Sequence, residues 1–505
     1  MIAISPETVA YGALFVAGVM LVKRLLTSRR RLPLPPGPKG WPIIGNIFDM
    51  PQEAAGGLIY LNLFGQPAIV VNDASIAAAM LDKKSVMYAD RPALVVGGEV
   101  AGFNQGVGLM HYGDRFRESR RMMHRHMGSR SSMEKFYGAE ELETHRLLRR
   151  ILERQGPDGK NVPRHIRLTA GAVILMISHG YAVKEKDDYF VHLAEETLSN
   201  FAEAITPGRF LADTFPMLRY VPDWFPGTEW KQAAKVWRDM LYKGVDLPHE
   251  YVKQQMQAEN AVPSFTSMYL EQGKLSEEKE VVLKWTASSI MGGGADTTVC
   301  ASYTFFLTML LHPEVQKKAQ QELDAVIGPD RLPTIKGRSQ LPYIDAIVKE
   351  VFRWNPVGPL GIPHSAGEDD VHDGYLIPKG SIIIPNIWRT LHDKQTYKKP
   401  FEFKPERFLA SEKQQPETDP RELLFGFGRR VCPGQLLADS GLFITCAMVL
   451  SVFNIEKVIE NGVQITPKPE FVDEVVNHPK LFKCSVKPRS EQAVSIIKSV
   501  DFVGD

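Results

Sequence analysis

The sequence predicts a mainly α-helical domain with small β-sheets, an α+β arrangement, preceded by one transmembrane helix. Three observations lead there. Apolar residues recur at helical spacing over long stretches that start at capping residues and stop at prolines. Short β-branched runs with Gly and Pro in their turns lie between them. The first 31 residues hold a charge-free apolar run followed by a basic cluster. At ~150 residues per domain the length would suggest about three units, a soft prior that large single-domain enzymes break. The division read here is an anchor with its basic flank over 1–31, a proline-rich hinge over 32–46 and one domain over 47–505.

Composition narrows the partners. Lys plus Arg number 60 and Asp plus Glu 59, a formal charge of +1, which excludes nucleic-acid binding through bulk electrostatics. Hydrophobic residues at 44% and charged residues at 24% suit a globular protein with a large core. Cys300, Cys432, Cys446 and Cys484 are far apart with no C-x-x-C pair, against a disulfide framework or a zinc site and in keeping with a reducing compartment. The chain has no N-x-[ST] sequon.

Val9–Val22 is 14 residues without a charge, or ~21 Å of helix at ~1.5 Å per residue. A bilayer core of ~30 Å needs more, so Met1–Ile4 and Leu25–Leu26 extend the span while Lys23 and Arg24 snorkel. Lys23, Arg24, Arg29, Arg30 and Arg31 follow the run and only Glu7 precedes it, which puts the body in the cytosol. A cleaved signal peptide is the rival; the trailing basic residues and the lack of a small-residue cleavage site favour the anchor. In "LPLPPGPKGWPIIGN", Leu32–Asn46, closely spaced prolines give a stiff extended connector, with a disordered linker as the plain alternative.

Beyond Leu58, "LIYLNLFGQPAIVVND" and "GYLIPKGSIIIP" read as short strands. A helix of about 35 residues and ~50 Å spans Glu277–Leu311, opened by Ser276 as N-cap with acids in its first turn and closed at His312-Pro313. Gly292, Gly293 and Gly294 sit at its middle, each costing about 1 kcal/mol against alanine. Either another helix packs closely there, or the backbone approaches a flat ligand and the hydrogen-bond ladder opens. Asp296, Thr297 and Thr298 follow, a carboxylate and two hydroxyls able to hold water and relay protons. In "KEVFR", Glu350 and Arg353 are i,i+3 neighbours on a helix ending at Asn355-Pro356.

"FGFGRRVCPG", Phe425–Gly434, places one cysteine among glycines and arginines. Pro433 favours the first helical position, so Cys432 stands at or just before a helix N-terminus. The helix dipole there, with Arg429 and Arg430, favours a thiolate, and Gly426, Gly428 and Gly434 let the backbone wrap around it. Inert core filling is the competing reading of a lone cysteine; it is adopted for Cys300 and Cys446, with Cys484 read as a strand residue.

These residues carry a specific resemblance. Phe425, Gly428, Arg430, Cys432 and Gly434 fit F-x-x-G-x-R-x-C-x-G; "GGADTT" (Gly293–Thr298), Glu350 and Arg353 as E-x-x-R, and Arg407 in "FKPERF" follow the accompanying motifs in order. The chain resembles the haem-thiolate cytochrome P-450 monooxygenases, fungal microsomal members above all, from the proline hinge to "HPKLFKCSVKPR". The resemblance implies that family's fold, a long central helix over haem b, with Cys432 as the axial metal ligand. It implies Arg430, Arg120 and His364 as propionate contacts, and Phe425, Gly428 and Gly434 as further cofactor-binding positions. Arg120 stands in a W-x-x-x-R pattern in which Phe116 replaces the tryptophan and removes an indole donor. His364 has a plain structural histidine as its alternative. Thr297 and Asp296 would be catalytic, handling the protons of oxygen activation. Glu350, Arg353 and Arg407 would form a structural trio.

The implied reaction inserts one atom of O2 into a small hydrophobic substrate and reduces the other to water. Electrons would come from NADPH-cytochrome P-450 reductase, with cytochrome b5 as a further donor, since no flavin motif is present. Arg117, Arg121 and Arg125 share one helical face that would dock an acidic flavoprotein or simply face solvent. The implied location is the endoplasmic reticulum membrane, single-pass, with the catalytic domain cytosolic. Substrate contacts are placed near Ala101–Met110, Leu198–Tyr220, Ile290–Thr297, Val357–Ile362 and Phe471–Val476, and the substrate classes are terpenoid, steroid, polyketide or aromatic, in secondary or xenobiotic metabolism. Arg209–Gly227 is read as dipping into the membrane interface, against core packing. One departure stands out: only Ile47–Gly57 separates the hinge from the first strand, too short for the family's amphipathic helix and its turns, as after a deletion. A thiolate-haem isomerase or dehydratase, against which Asp296-Thr297 counts, and a non-catalytic haem-binding membrane protein are the other classes.

Overall fold

Short apolar runs on either side of a tight turn make the first hairpin, β1 (Leu58–Leu63) and β2 (Gln66–Val71). Phe64 (φ 50°) and Gly65 (φ 89°) take the left-handed conformations that a two-residue hairpin turn requires. The structure is a computed structural model and describes residues 32–41, 45–46, 56–412 and 415–502. The expected membrane anchor and nearly all of the shortened stretch after the hinge lie outside the described residues. The main sheet runs β1-β2-β4-β3, with β3 at His364–Ser365 and β4 at Ile382–Pro385; β2 and β4 are parallel and the other pairs antiparallel. Tyr375–Ile377 pairs instead with Asp370–His372, so the two strands of "GYLIPKGSIIIP" belong to different sheets. A third pair joins β5 (Phe453–Glu456) to β6 (Ser485–Pro488).

The hinge is docked rather than loose. The Pro36 carbonyl accepts from the Tyr60 amide at 2.8 Å and the Pro33 carbonyl from the Leu376 amide at 2.7 Å. Its prolines cannot donate, so Pro33 and Pro36 meet the sheets through their carbonyls, while Asn46 at the end of the segment donates its amide to the Asn62 carbonyl of β1 at 2.7 Å.

The helical layer comprises α1 (Asp114–Met127), α2 (Arg130–Arg154), α3 (Val162–His179), α4 (Tyr189–Ile205), α5 (Glu229–Gln257), α6 (Glu277–Ala295), α7 (Thr297–Leu311), α8 (Pro313–Val326), α9 (Pro342–Trp354) and α10 (Gln435–Val452). The helix expected over Glu277–Leu311 is therefore two, broken at Asp296 (φ −117°, ψ −37°). The glycines explain the break in two ways. A Cβ on Gly294 would come within 2.7 Å of Ile174 on α3, so close helix packing excludes a side chain there. A Cβ on Gly293 would meet nothing within 4 Å, so that face is open to a ligand.

α7 and α10 are apolar on all sides and form the centre of the core with Phe305, Phe306, Phe443 and Phe453. Among the described residues α10 is the one helix long and apolar enough to cross a membrane; 67% of it is buried inside the domain, which makes it a core helix.

Candidate active site

The cysteine loop is shaped by glycine and closed by one hydrogen bond. The Cys432 amide donates to the Phe425 carbonyl at 2.8 Å, and the Phe425 ring stands edge-on to Phe352 of α9 with centroids 5.6 Å apart. Gly426 (φ 77°) and Gly428 (φ 54°) are left-handed, and a Cβ on Gly428 would lie 2.0 Å from the Leu81 carbonyl oxygen. Helix α10 starts at Gln435 behind Gly434 as N-cap, two residues later than the position of Pro433 predicts.

The groups that favour an anionic sulfur are the Gly434 amide and Arg120 rather than Arg429 and Arg430. Burial pushes the Cys432 thiol above its ordinary value, and the Gly434 amide and Arg120, which favour the anion, do not outweigh it. Arg429 is exposed and lies over the Tyr112 ring. Arg430 reaches away from the sulfur, donating to the carbonyls of Ala89 (2.6 Å), Val107 (3.2 Å) and Met110 (2.6 Å), with its guanidinium 3.8 Å from the Phe116 ring centroid. The phenylalanine at the tryptophan position thus offers Arg430 a π-face in place of an indole donor. A half-buried sulfur of this kind becomes anionic when a metal cation binds it directly.

Near the sulfur three arginines, Arg91, Arg120 and Arg430, gather with Asp90 as the one carboxylate that acts on Arg91 and Arg430. Arg91 is buried and donates to the carbonyls of Gly108 (2.9 Å), Ile362 (2.5 Å) and Pro363 (2.8 Å). Arg120 makes no hydrogen bond or ion pair among the described residues, and none of Arg91, Arg120 and Arg430 hydrogen-bonds a carboxylate through its guanidinium. Burial, then the nearby Arg430, holds Arg91 well below the usual arginine range. Burial, with Arg120 adding repulsion, pushes Arg430 down to about 10. His364 is buried on β3; its Nδ1 donates to the Tyr88 carbonyl at 2.8 Å, and burial next to Arg91 lowers it to about 3. Its neutral ring therefore presents Nε2 as an acceptor, and a carboxylate placed there would draw a proton onto it. A group carrying carboxylates at one edge would neutralise this cluster.

At the helix break, Thr297 Oγ1 donates to the Gly293 carbonyl at 2.7 Å. The Asp296 carboxylate accepts from Arg167 Nη1 of α3 at 2.8 Å and meets His478 Nε2 at 2.9 Å. Burial pushes this carboxyl up, but His478 and Arg167 together hold it below the usual carboxylate range. Arg91, Arg167 and His478 were not among the residues the motifs single out. Arg167 and His478 lie 129 and 182 positions from Asp296, and no local pattern marks them.

Glu350, Arg353 and Arg407 meet in the interior. Arg353 donates to both oxygens of Glu350, Nε at 2.7 Å and Nη2 at 2.9 Å; Arg407 Nε donates at 3.1 Å, and the Lys404 amide adds a fourth bond at 2.7 Å. Glu417, a member the sequence reading did not name, pairs with Arg407 Nη1 at 2.7 Å, so two carboxylates balance two guanidiniums. Glu350 and Arg353 are completely buried.

The chain matches the Cytochrome P-450 family over residues 35–486. It belongs to that family. It is 46% identical to cytochrome P-450 monooxygenase 208 of Postia placenta over 96% of this chain and 97% of the relative. It is 48% identical to cytochrome P-450 monooxygenase claR of Ampulloclitocybe clavipes (93% and 89%) and 40% identical to cytochrome P-450 monooxygenase ppsD of Aspergillus oryzae (96% and 95%). The chain is thus an oxidoreductase of the cytochrome P-450 monooxygenase class, whose cofactor is protohaem with an axial cysteine thiolate. The residues present fit that group: a half-buried cysteine sulfur, an open face at Gly293, and three arginines with no carboxylate on their guanidiniums, where two propionates would be held.

Proposed function

We propose that Cys432 is the axial ligand of this cytochrome P-450, that Arg430, Arg120, Arg91 and His364 hold the propionates, and that Asp296 and Thr297 handle protons. The cluster of arginines beside the half-buried sulfur, with no carboxylate bonded to their guanidiniums, carries the assignment. When bound, haem supplies the oxidising chemistry that splits O2 with two electrons and two protons. Thr297 keeps a hydroxyl at the open face of Gly293, and Asp296, tied to Arg167 and His478, must loosen one of these contacts before it can pass a proton inward. Replacing Thr297 by alanine is expected to leave haem content unchanged and to divert reducing equivalents to peroxide; equal product per NADPH in the variant and the parent would contradict the role.

The substrate we infer is hydrophobic, since Phe103, Leu109, Met110 and Ile290 in the expected contact segments are buried apolar side chains. Terpenoids, steroids, polyketides and aromatics all suit such a lining, in fungal secondary or xenobiotic metabolism. The body is held at the endoplasmic reticulum membrane. In support, Met217 and Trp224 are each 81% exposed, and Leu211, Phe215, Tyr220 and Phe225 are exposed in the same stretch, so the core-packing alternative for Arg209–Gly227 does not describe these side chains. Electrons come from NADPH through a separate reductase. Arg117 and Arg121 are exposed but paired with Asp114 and Glu118, while Arg125 is exposed and approaches Tyr269. Replacing Arg121 and Arg125 together by glutamate is expected to raise the reductase concentration needed for half-maximal turnover, and more so at low salt; no change would remove the docking surface. The function is tested by turnover with reductase against panels of these four classes: product must require both NADPH and O2.

A further inference from the structure

On the Gly294 side of the helix break, helices α2, α3, α7 and α10 enclose a cavity whose polar lining is Glu140, Thr144, Thr169, Thr298, Ser302 and Thr445. None of the residues assigned to the cofactor, and neither Asp296 nor Thr297, lines it. Thr144, Thr169 and Thr445 spend their hydroxyl protons on carbonyls one turn back in their own helices. Three other polar side chains are left over. Glu140 is 1% exposed; its Oε2 accepts from Ser440 Oγ of α10 at 2.7 Å, but its Oε1 has no partner. Thr298 and Ser302, one turn apart on the same face of α7, make no hydrogen bond among the described residues.

Buried polar groups in folded proteins are satisfied by protein or by ordered water, and an orphan carboxyl oxygen facing two orphan hydroxyls across a cavity asks for the latter. The cavity offers ≈ 40 Å³ of room for water centres, space for about three or four molecules at ~10–15 Å³ each. That is too little for a metabolite.

The charges around Glu140 leave it neutral. Burial is the main cause, and Glu141 on its own helix and Asp439 on α10 both oppose ionisation, while the Ser440 hydroxyl favours it; together they push the Glu140 carboxyl up to about 8. Ionic groups that flank the cavity on these elements have partners of their own. Glu143 pairs with Arg146 and Arg150, and Asp439 with Arg338 and Arg421. On α3, His165 meets the Arg154 carbonyl and Arg167 meets Asp296. Tyr137 stands one turn before Glu140, and α7 carries no Asp, Glu, Lys, Arg or His.

We propose that this cavity is a water site built behind the central helix: Glu140 bridges through about three or four waters to Thr298 and Ser302 and fixes the first turn of α7, the turn that presents Asp296 and Thr297. Glu140 is thus a positioning residue. The acid's O–H donates to water and its carbonyl accepts, which a carboxylate cannot do. The consequence for catalysis rests on the proton-handling reading of Asp296 and Thr297; the water site does not.

The sign of the pH dependence follows. An acid titrating near its ordinary 4.5 when unfolded and at about 8 when folded adds stability that is fully present below pH 4.5 and is lost as pH rises through 8. The holoenzyme is to be crystallised and melted across this range as parent, Glu140→Gln and Glu140→Leu. The expected results are ordered water bridging Glu140 to Thr298 or Ser302, a melting temperature that declines from pH 5 to 8 in the parent, and a flatter profile in Glu140→Gln, whose amide keeps a donor and an acceptor without a charge. Glu140→Leu is expected to lose product formed per NADPH, and Glu140→Gln to restore it. A dry cavity, or the same pH profile in parent and Glu140→Gln, would overturn the water site. Parental product per NADPH in Glu140→Leu would overturn the positioning role. A parent without NADPH-dependent turnover would instead count against the monooxygenase reading and leave the crystallographic water and melting results standing.

Discussion

Cys432→Ser is expected to fold and to lose turnover by at least ~1,000-fold, about 4 kcal/mol of barrier at ~1.36 kcal/mol per tenfold. The fold should survive because the position is fixed by backbone: the Cys432 amide bond to Phe425 and the turn at Gly428 do not involve the sulfur, and a serine oxygen can accept from the Gly434 amide in its place. Activity should not survive, because the electron-rich thiolate is the ligand that favours O–O cleavage and a hydroxyl is a poorer donor. Melting temperature and product formation measured on the same preparation check both halves; a folded serine variant with parental turnover would remove Cys432 from the mechanism.

Glu350→Ala is expected to destabilise the protein by ~3–5 kcal/mol, because it strands Arg353 and Arg407 in the interior with Glu417 alone to balance them. Arg353 keeps the Leu391 and Glu402 carbonyls, and Arg407 those of Lys398, Lys399 and Glu402, but dipoles do not replace a carboxylate that receives three guanidinium N–H bonds. The effect should reach the cysteine loop through α9, whose Phe352 packs on Phe425. Denaturant titration of the holoprotein checks the magnitude, and haem content of the purified variant checks the route. A loss below ~1 kcal/mol would mean the trio acts like an exposed ion pair.

The parts of the site that could be read from the sequence are those whose chemistry is local. Gly428 is required by a turn within its own loop, and Glu350 with Arg353 meets within one helical turn; such constraints leave spacing motifs. The break at Asp296 was readable as three costly glycines, yet not the division of labour between them: Gly294 answers to Ile174 on another helix and Gly293 to an open face. The orientation of Arg430 could not be foreseen, because it is decided by carbonyls at Ala89, Val107 and Met110, more than 300 positions earlier. Arg91 and His478 enter the site from loops with no motif, and Glu140 reads in the sequence as one acid among several on α2 until the fold buries it against Ser440. For the sheets, the strands were legible and their partners were not, since pairing β2 with β4 spans most of the chain.

The central claim is that a cysteine sulfur at position 432 binds haem iron as a thiolate. The most direct measurement is the optical difference spectrum of the purified, reduced protein under carbon monoxide, recorded for parent and Cys432→Ser. Thiolate ligation by Cys432 predicts a strongly red-shifted Soret band in the parent and its disappearance in the serine variant; the same red-shifted band in both, or its absence from the haem-loaded parent, would contradict that ligation.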